Sequence, residues 1–462
     1  MDHADRVVLI VLDSVRADAL TETTAPNLTA RVDSDWLTYE NAISPAPWTL
    51  PAHASIYTGR LPREHGATAH NKYLSTDHPT LASQFEAAGY HTRLFSNNPF
   101  LSETFGMVEG FEEVVLHLDT KLRPDATGLW VADILDRSDS WTETVRTLLA
   151  SGNRWTPVNL LYELLTLKTD RVGPADDGAE RTVDYYLGND SDGPEFTLCN
   201  FMEAHLPYDP PEPFRSRHLP DGATEDDAAS VNQEPWDYVL GERDTDFAVL
   251  RGLYEGEIAT LDAQLERLFE GLEADGALVE SLIVVCGDHG DHFGEHGLQG
   301  HAGSLHRELL DVPLFVRFPG GEHGGESVSE TVSLRQLYSS LLQWTDTPTP
   351  EAERAPDPLP MPGEPSTQEG VVAEYMGVQD IDVDPRALEA YDYRRTSVLT
   401  ADSELIESDD GVDYHDGPTD AETLRGLKSE ILDGVPDTVS TGRDGDVPAS
   451  VRERLEATGY VQ

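Results

Sequence analysis

Three stretches of this chain place acids, hydroxyls and imidazoles where a buried strand would end or a helix begin. In VVLIVLDSVRAD, Asp13 directly follows a run of six apolar residues. A carboxylate there needs a partner: a divalent cation would serve, and so would a helix start capped by Asp13 or Ser14. In PAPWTLPAHASIYTGRLPREHG, Thr49 stands two residues before Pro51 and ahead of a stretch with helical character, so its hydroxyl falls at or just before a helix N-terminus. The dipole and free N–H groups there favour developing negative charge, and metal coordination would lower the hydroxyl pKa enough to make a nucleophile. Simple capping explains the same residue. In SLIVVCGDHGDHFGEHGLQGHAGSLH, Asp288 and His289 offer an oxygen and a nitrogen ligand after a buried strand, and Gly287 and Gly290 permit a tight fold around an ion. Asp291, His292, Glu295 and His296 add further donors or solvated side chains.

In open α/β sheets the ligand crevice lies at the carboxyl ends of strands, where these residues would converge. The strands expected are Val7–Leu12, Phe196–Met202, Leu282–Val285 and Val312–Phe318, short β-branched runs without alternation that suit a mostly parallel sheet covered on both faces. Tyr254, Ile258, Leu261, Leu265 and Leu268 form one apolar helical stripe. Strands alternating with helices give an α/β class with a mixed, mostly parallel sheet flanked by helices. The expected organisation is a catalytic domain over 1–345, with a helical insertion at about 128–193. A Pro-rich linker over 346–369 follows, then a smaller antiparallel α+β subdomain over 370–462, built on VVAEYM, RRTSVLT and ELIES and closed by a helix at VRERLEATGYV.

Charge sets the surroundings. Of 462 residues, 86 are Asp or Glu and 32 Lys or Arg, a formal charge of -54, and the lysines are only Lys72, Lys121, Lys168 and Lys428. Such self-repulsion strains a compact fold in dilute buffer, but at molar salt the Debye length is ~3 Å. The composition therefore points to a high-salt cytoplasm and argues against nucleic acid as a partner. Cys199 and Cys286 lie inside apolar runs as buried small hydrophobes, and no run reaches the length of a membrane span.

The three segments, in this order, resemble the sulfatase branch of the alkaline-phosphatase superfamily. Thr49, Pro51, Thr58 and Gly59 fall in the register of that family's nucleophile motif, Asp13 matches its first metal aspartate, and Asp288-His289 its later Asp-His pair. EAHLPYDPP, GYHTRLFSNNPF, HAGSLHRELLDVPLFVRFPG and the closing RLEATGYV resemble other family stretches, so the likeness spans most of 5–345. It implies the alkaline-phosphatase-like fold and displacement at a phosphate or sulfate ester.

The departures shape the chemistry that the resemblance implies. Sulfatases oxidise a Cys or Ser to formylglycine; Thr49 stands there instead, so formylglycine is not expected. His53 replaces the motif's Arg, Asn97 and Pro99 replace a Lys and a His, Ser14 replaces a second aspartate, and His301 stands in place of Lys. The pattern is closer to threonine-using members such as phosphoglycerol transferases and some phosphodiesterases. The resemblance then implies one divalent metal (Mn2+, Mg2+ or Ca2+) held by Asp13, Thr49, Asp288 and His289, with His205 or His301 protonating the leaving oxygen. His53, Asn71 and Asn97 would hold an anionic ester, glycan- or lipid-linked. The alternatives are a sulfuric ester hydrolase without formylglycine and a non-catalytic relative that binds an anionic glycan.

Overall fold

The computed structural model describes residues 4–74, 79–116, 178–189, 191, 193–301, 303–348, 355–364, 366, 368–379 and 383–436. The main sheet comprises β1 (Arg6–Leu12), β2 (Leu37–Ile43), β3 (His91–Ser96), β4 (Glu113–Leu116), β5 (Glu195–Phe201) and β6 (Ser281–Gly287). Beyond the two-residue hairpin of β7 (His292–Phe293) and β8 (Gln299–Gly300), it adds β9 (Asp311–Val312), β10 (Leu314–Arg317) and β11 (Ser327–Ser333). The order is β11-β2-β10-β6-β1-β5-β3-β4, with β9 beside β2. Central β1 runs parallel to both β5 and β6, whereas β10 lies antiparallel between β6 and β2. The fold is the expected α/β class.

Both faces of the central strands are buried, which is why their sequences read as unbroken apolar runs. Val7, Leu9 and Val11 pack with Leu50, Ala54 and Tyr57 of the helix Thr49–Thr58 and with Leu337 and Leu341 of the helix Leu337–Trp344. Val8, Ile10 and Leu12 point the other way, onto Leu253, Ile258, Leu261 and Leu265 of the long helix Phe247–Ala274. Each fully buried aliphatic side chain contributes about 1.5–3 kcal/mol, so these two layers fix where the strands end.

The expected strand Val312–Phe318 is broken at Pro313 into β9 and β10, since proline has no N–H to give the ladder. A second, antiparallel sheet follows: β12 (Val371–Met376), β13 (Arg394–Leu399), β14 (Glu404–Ser408) and β15 (Gly411–Asp416), covered by the helix Ala421–Ile431. Three of these strands match the expected ones. β15 falls in GVDYHD, which reads as an acidic loop because most of its residues are exposed. The helices expected at WVADILD, TVRTLLA, NLLYELLTL and VRERLEATGYV lie outside the described residues.

The Pro-rich stretch does not hang free where it is described. Leu359 is buried in the main core, its N–H donates to Ser340 Oγ at 2.7 Å, and Tyr39 donates to the Pro360 carbonyl at 3.1 Å. Gly59, which ends the helix Thr49–Thr58 at φ 69°, has no room for a side chain because a Cβ would lie 2.8 Å from Pro356. The second sheet is tied in by Glu374 of β12, buried, which accepts from both the Arg63 backbone (2.9 Å) and its guanidinium. No described helix is long and apolar enough to cross a membrane.

Beside the helix Thr49–Thr58, His65 is buried with Nδ1 accepting from the Ala67 N–H at 3.1 Å and Nε2 3.1 Å from Ser55 Oγ. Protonation would forfeit the Ala67 bond, and burial depresses its pKa to about 3. Because the folded-state value lies below the unfolded one, near ~6.5, this histidine's stabilisation is complete above the unfolded pKa and is lost as pH falls towards the folded one. Denaturant unfolding of His65→Gln in molar KCl should therefore show a flatter decline between about pH 6.5 and 4 than the parent. Identical slopes would assign the acid sensitivity elsewhere.

Candidate metal and nucleophile site

The strand register builds the site. Leu12 of β1 lies opposite Gly287 of β6 and Phe201 of β5, so the next residues, Asp13 and Asp288, emerge side by side at one sheet edge. Both are fully buried. Ser14 bridges them: its N–H donates to Asp288 Oδ1 at 3.1 Å and its hydroxyl to Asp13 Oδ1 at 3.2 Å. It does so at φ 61°, a left-handed conformation that costs a non-glycine residue energy and that the surrounding structure must hold in place.

Thr49 is the first residue of its helix and is fully buried. Its Oγ1 lies 3.4 Å from Asp13 Oδ2 and 3.5 Å from His289 Nε2. His289 Nε2 is in turn 3.7 Å from Asp13 Oδ1 and from Asp288 Oδ2, while its Nδ1 faces the Gly290 carbonyl at 3.0 Å, which turns Nε2 into a lone-pair donor. Separations of about 3.4 Å are those between neighbouring ligands around a tetrahedral ion with ~2.1 Å bonds. Asp288 Oδ2 is buried without a hydrogen-bond partner, and burial, then the adjacent Asp13 charge, pushes its pKa well up. A buried acceptor left open among a hydroxyl, two carboxylates and an imidazole fits a divalent cation. Gly290 keeps the loop close, since a Cβ there would sit 2.2 Å from the Glu308 carbonyl.

His53, one turn along the helix, is buried with Nδ1 3.1 Å from the Thr49 carbonyl and 3.5 Å from Asp288 Oδ2. Burial lowers its pKa to about 4, so it is neutral at pH 7, unlike the arginine it resembles in place. Asp291 accepts from the Tyr208 hydroxyl at 2.9 Å and pairs through Oδ1 with His301 Nδ1 at 2.9 Å. The ring of His301 lies 4.8 Å from that of His289 and 5.4 Å from that of His205, whose Nδ1 is 2.5 Å from the Leu206 carbonyl.

Thus Asp13, Thr49, His53, Asp288 and His289 converge, with His205 and His301 alongside. Asn71 is not brought to them: its amide donates to the carbonyls of Gly66 (2.9 Å) and Tyr73 (3.2 Å), holding its own loop. Asn97 packs against Gly178. Its neighbour Asn98, which sequence reasoning missed, reaches the centre, donating to Asp13 Oδ2 at 2.8 Å and to Thr49 Oγ1 at 3.3 Å. The only signal was the tandem Asn after an apolar strand.

A sulfatase family model matches residues 5–347. The chain belongs to the sulfatase family. It is similar to an arylsulfatase of Clostridium perfringens, at 24% identity over 75% of this chain and 76% of that one. It is also similar to the multifunctional alkaline phosphatase superfamily protein PehA of Trinickia caryophylli, at 24% identity over 75% and 74%. Among solved structures, the phosphonate monoester hydrolase of Agrobacterium radiobacter superposes with a TM-score of 0.65 at 19% identity, covering 98% of this chain and 95% of that one. The phosphonate monoester hydrolase of Silicibacter pomeroyi does so with a TM-score of 0.63 at 20% identity over 94% and 96%. Family membership marks the chain as an ester hydrolase.

Asn98→Asp keeps the Oδ1 that accepts from the Phe100 N–H at 2.9 Å but removes the donor to Asp13 and Thr49. Ester hydrolysis by this variant should fall by about 100-fold in kcat, with the fold intact by circular dichroism. An unchanged kcat would remove Asn98 from the site.

Proposed function

We propose that the chain is a metal-dependent phosphate-ester hydrolase or phospho-group transferase with Thr49 as nucleophile. The observation that carries this reading is the position of Thr49 Oγ1, at a helix N-terminus and within 3.5 Å of Asp13, His289 and Asn98. A divalent ion held by Asp13, Thr49, Asp288 and His289 would supply the charge that lowers the hydroxyl pKa and polarises the ester. Formylglycine does not fit this site: the threonine β-carbon carries a methyl group, so its oxidation gives a ketone and not an aldehyde.

The side chains supply the rest. Thr49 Oγ1, its proton given up to water as a bound metal would allow, attacks the phosphorus in line, forming a P–O bond as the ester's leaving oxygen departs. The Asn98 amide and the first N–H groups of the helix face the charge that develops. His205 and His301 remain the imidazoles for meeting the leaving oxygen. Water or a second alcohol then attacks phosphorus and frees the Thr49 hydroxyl. Names among the relatives support ester chemistry at tetrahedral anions of either kind, since one is an arylsulfatase and the structural neighbours are phosphonate monoester hydrolases. His53, Asn97 and Pro99 at the places where sulfatases carry Arg, Lys and His favour phosphorus chemistry with a metal over sulfate-ester hydrolysis. The acidic composition suits a high-salt cytoplasm, so the protein is best handled in molar KCl.

Aryl phosphate, phosphodiester and aryl sulfate substrates should be assayed with parent protein and Thr49→Ala. Turnover of a phosphate ester, lost by more than about 1000-fold in the variant, is expected, together with phosphothreonine at position 49 in quenched samples by mass spectrometry. Turnover that survives Thr49→Ala would end the nucleophile assignment, and Thr49-dependent turnover of aryl sulfate alone would transfer the reading to sulfate esters.

A further inference from the structure

We propose that His292, His296 and His306 form a binding site for a divalent cation that prefers nitrogen ligands, Zn2+ above all. It stands on residues apart from the Thr49 site, goes beyond the function proposed above and does not depend on it. The loop after β6 divides its side chains here: Asp291 turns to Tyr208 and His301, whereas the next residue, His292, goes to His296 and His306. The His292 ring centre lies 5.9 Å from that of His296 and 6.1 Å from that of His306. His296 and His306 stack in parallel at 3.7 Å, and Tyr414 of β15 closes over them, 4.5 Å from His306 and 5.5 Å from His296.

Unmet nitrogens point to a ligand. His292 is fully buried, yet neither of its ring nitrogens has a hydrogen-bond partner, and Nδ1 of His306 is buried without one as well. Among the described residues, His292 is the only histidine with both nitrogens left in this way. A neutral imidazole carries one donor and one acceptor, and burying both unpaired forfeits the water that each would hold. A cation takes up the lone pair that no protein donor meets. Burial, then the nearby His296, holds the His306 pKa down at about 4, so this ring offers a lone pair at neutral pH.

The spacing suits imidazoles around one ion. With ~2.1 Å bonds at tetrahedral angles, two rings on a shared ion have centres roughly 5 Å apart. The His292 ring stands close to that separation from both partners and is tilted to them by 77° and 75°. The stacked pair stands closer, with its lone pairs side by side, so one ring must turn off the stack before all three share the ion. His296, whose side chain is partly exposed, is the ring with room to turn. Its Nε2 lies 3.4 Å from Glu308 Oε2, the kind of carboxylate partner that fixes the outer nitrogen of a metal-bound histidine and leaves Nδ1 for the ion. Three imidazoles select Zn2+ over Mg2+ or Ca2+, which prefer oxygen. An ion here would tie the loop that carries Asp288 and His289 to His306, beneath Tyr414 of the second sheet.

The test counts zinc. Parent protein, His306→Phe, His292→Leu and Asp13→Asn are stripped with chelator in molar KCl. They are reloaded with Zn2+ under excess Mg2+, which occupies the acidic surface. His306→Phe keeps a ring under Tyr414 without its nitrogens, His292→Leu removes the buried donor independently, and circular dichroism checks that each variant is folded. After desalting, both histidine variants should hold about one zinc ion fewer per chain than the parent, and Asp13→Asn should keep the ion that they lose. In the Asp13→Asn background, zinc should raise the unfolding midpoint by about 5 °C, and adding His306→Phe should remove that rise. A parent without zinc, or zinc content unchanged in both histidine variants, would overturn this site. Zinc that vanishes with Asp13→Asn alone would overturn it too, while leaving the metal of the proposed function in place. Zinc lost with the histidines alone would uphold this site and count against that other metal.

Discussion

Strands β1 and β6 end level with each other, and the residue after each is a buried aspartate, so two like charges meet out of reach of water. In an apolar interior one of them must be protonated or both must share a cation. Everything around them answers that constraint. Ser14 takes a left-handed backbone to donate to both carboxylates, Asn98 turns its amide to Asp13, and His289 presents its unprotonated nitrogen. The core beneath, packed on both faces of β1, keeps the two strand ends from sliding apart.

Much of this was legible in the chain before folding, for a physical reason. A buried parallel strand reads as an unbroken β-branched run, and an acid at its end stands out because nothing apolar tolerates it. Asp13, Asp288 and His289 were visible on that ground, and Thr49 by its place ahead of Pro51. Their convergence was not, because register is a property of pairing: nothing in either run says that Leu12 will lie opposite Gly287. The family resemblance supplied the order that periodicity could not.

The failures have equally local causes. Whether Asn97 or Asn98 faces the site depends on the turn after β3, where the Ser96 hydroxyl receives the Asn98 N–H at 2.8 Å and Asn98 Oδ1 receives that of Phe100 at 2.9 Å. Two identical residues in tandem cannot announce that choice. Asn71 has the right chemistry but spends its donors closing a loop. β15 escaped because an edge strand open to solvent carries acids freely, and the Pro-rich stretch looked like a linker because its few apolar residues, such as Leu359, find a core supplied by distant segments.

The molecule thus carries negative charge in two regimes that obey different rules. On the surface, water and dissolved ions screen the excess of acids, and each carboxylate contributes little to any particular contact. Inside the site no salt penetrates, and each carboxylate must be met by a specific donor or ion. Thr49 lies between these demands. Its β-branched side chain has few rotamers, and its hydroxyl is already within reach of Asp13, Asn98 and His289, so little freedom remains to it. A serine would supply the same oxygen with more freedom. Under the function proposed above, with His53 where sulfatases carry an arginine, a nucleophile positioned in advance beside metal charge is the arrangement that these residues would support.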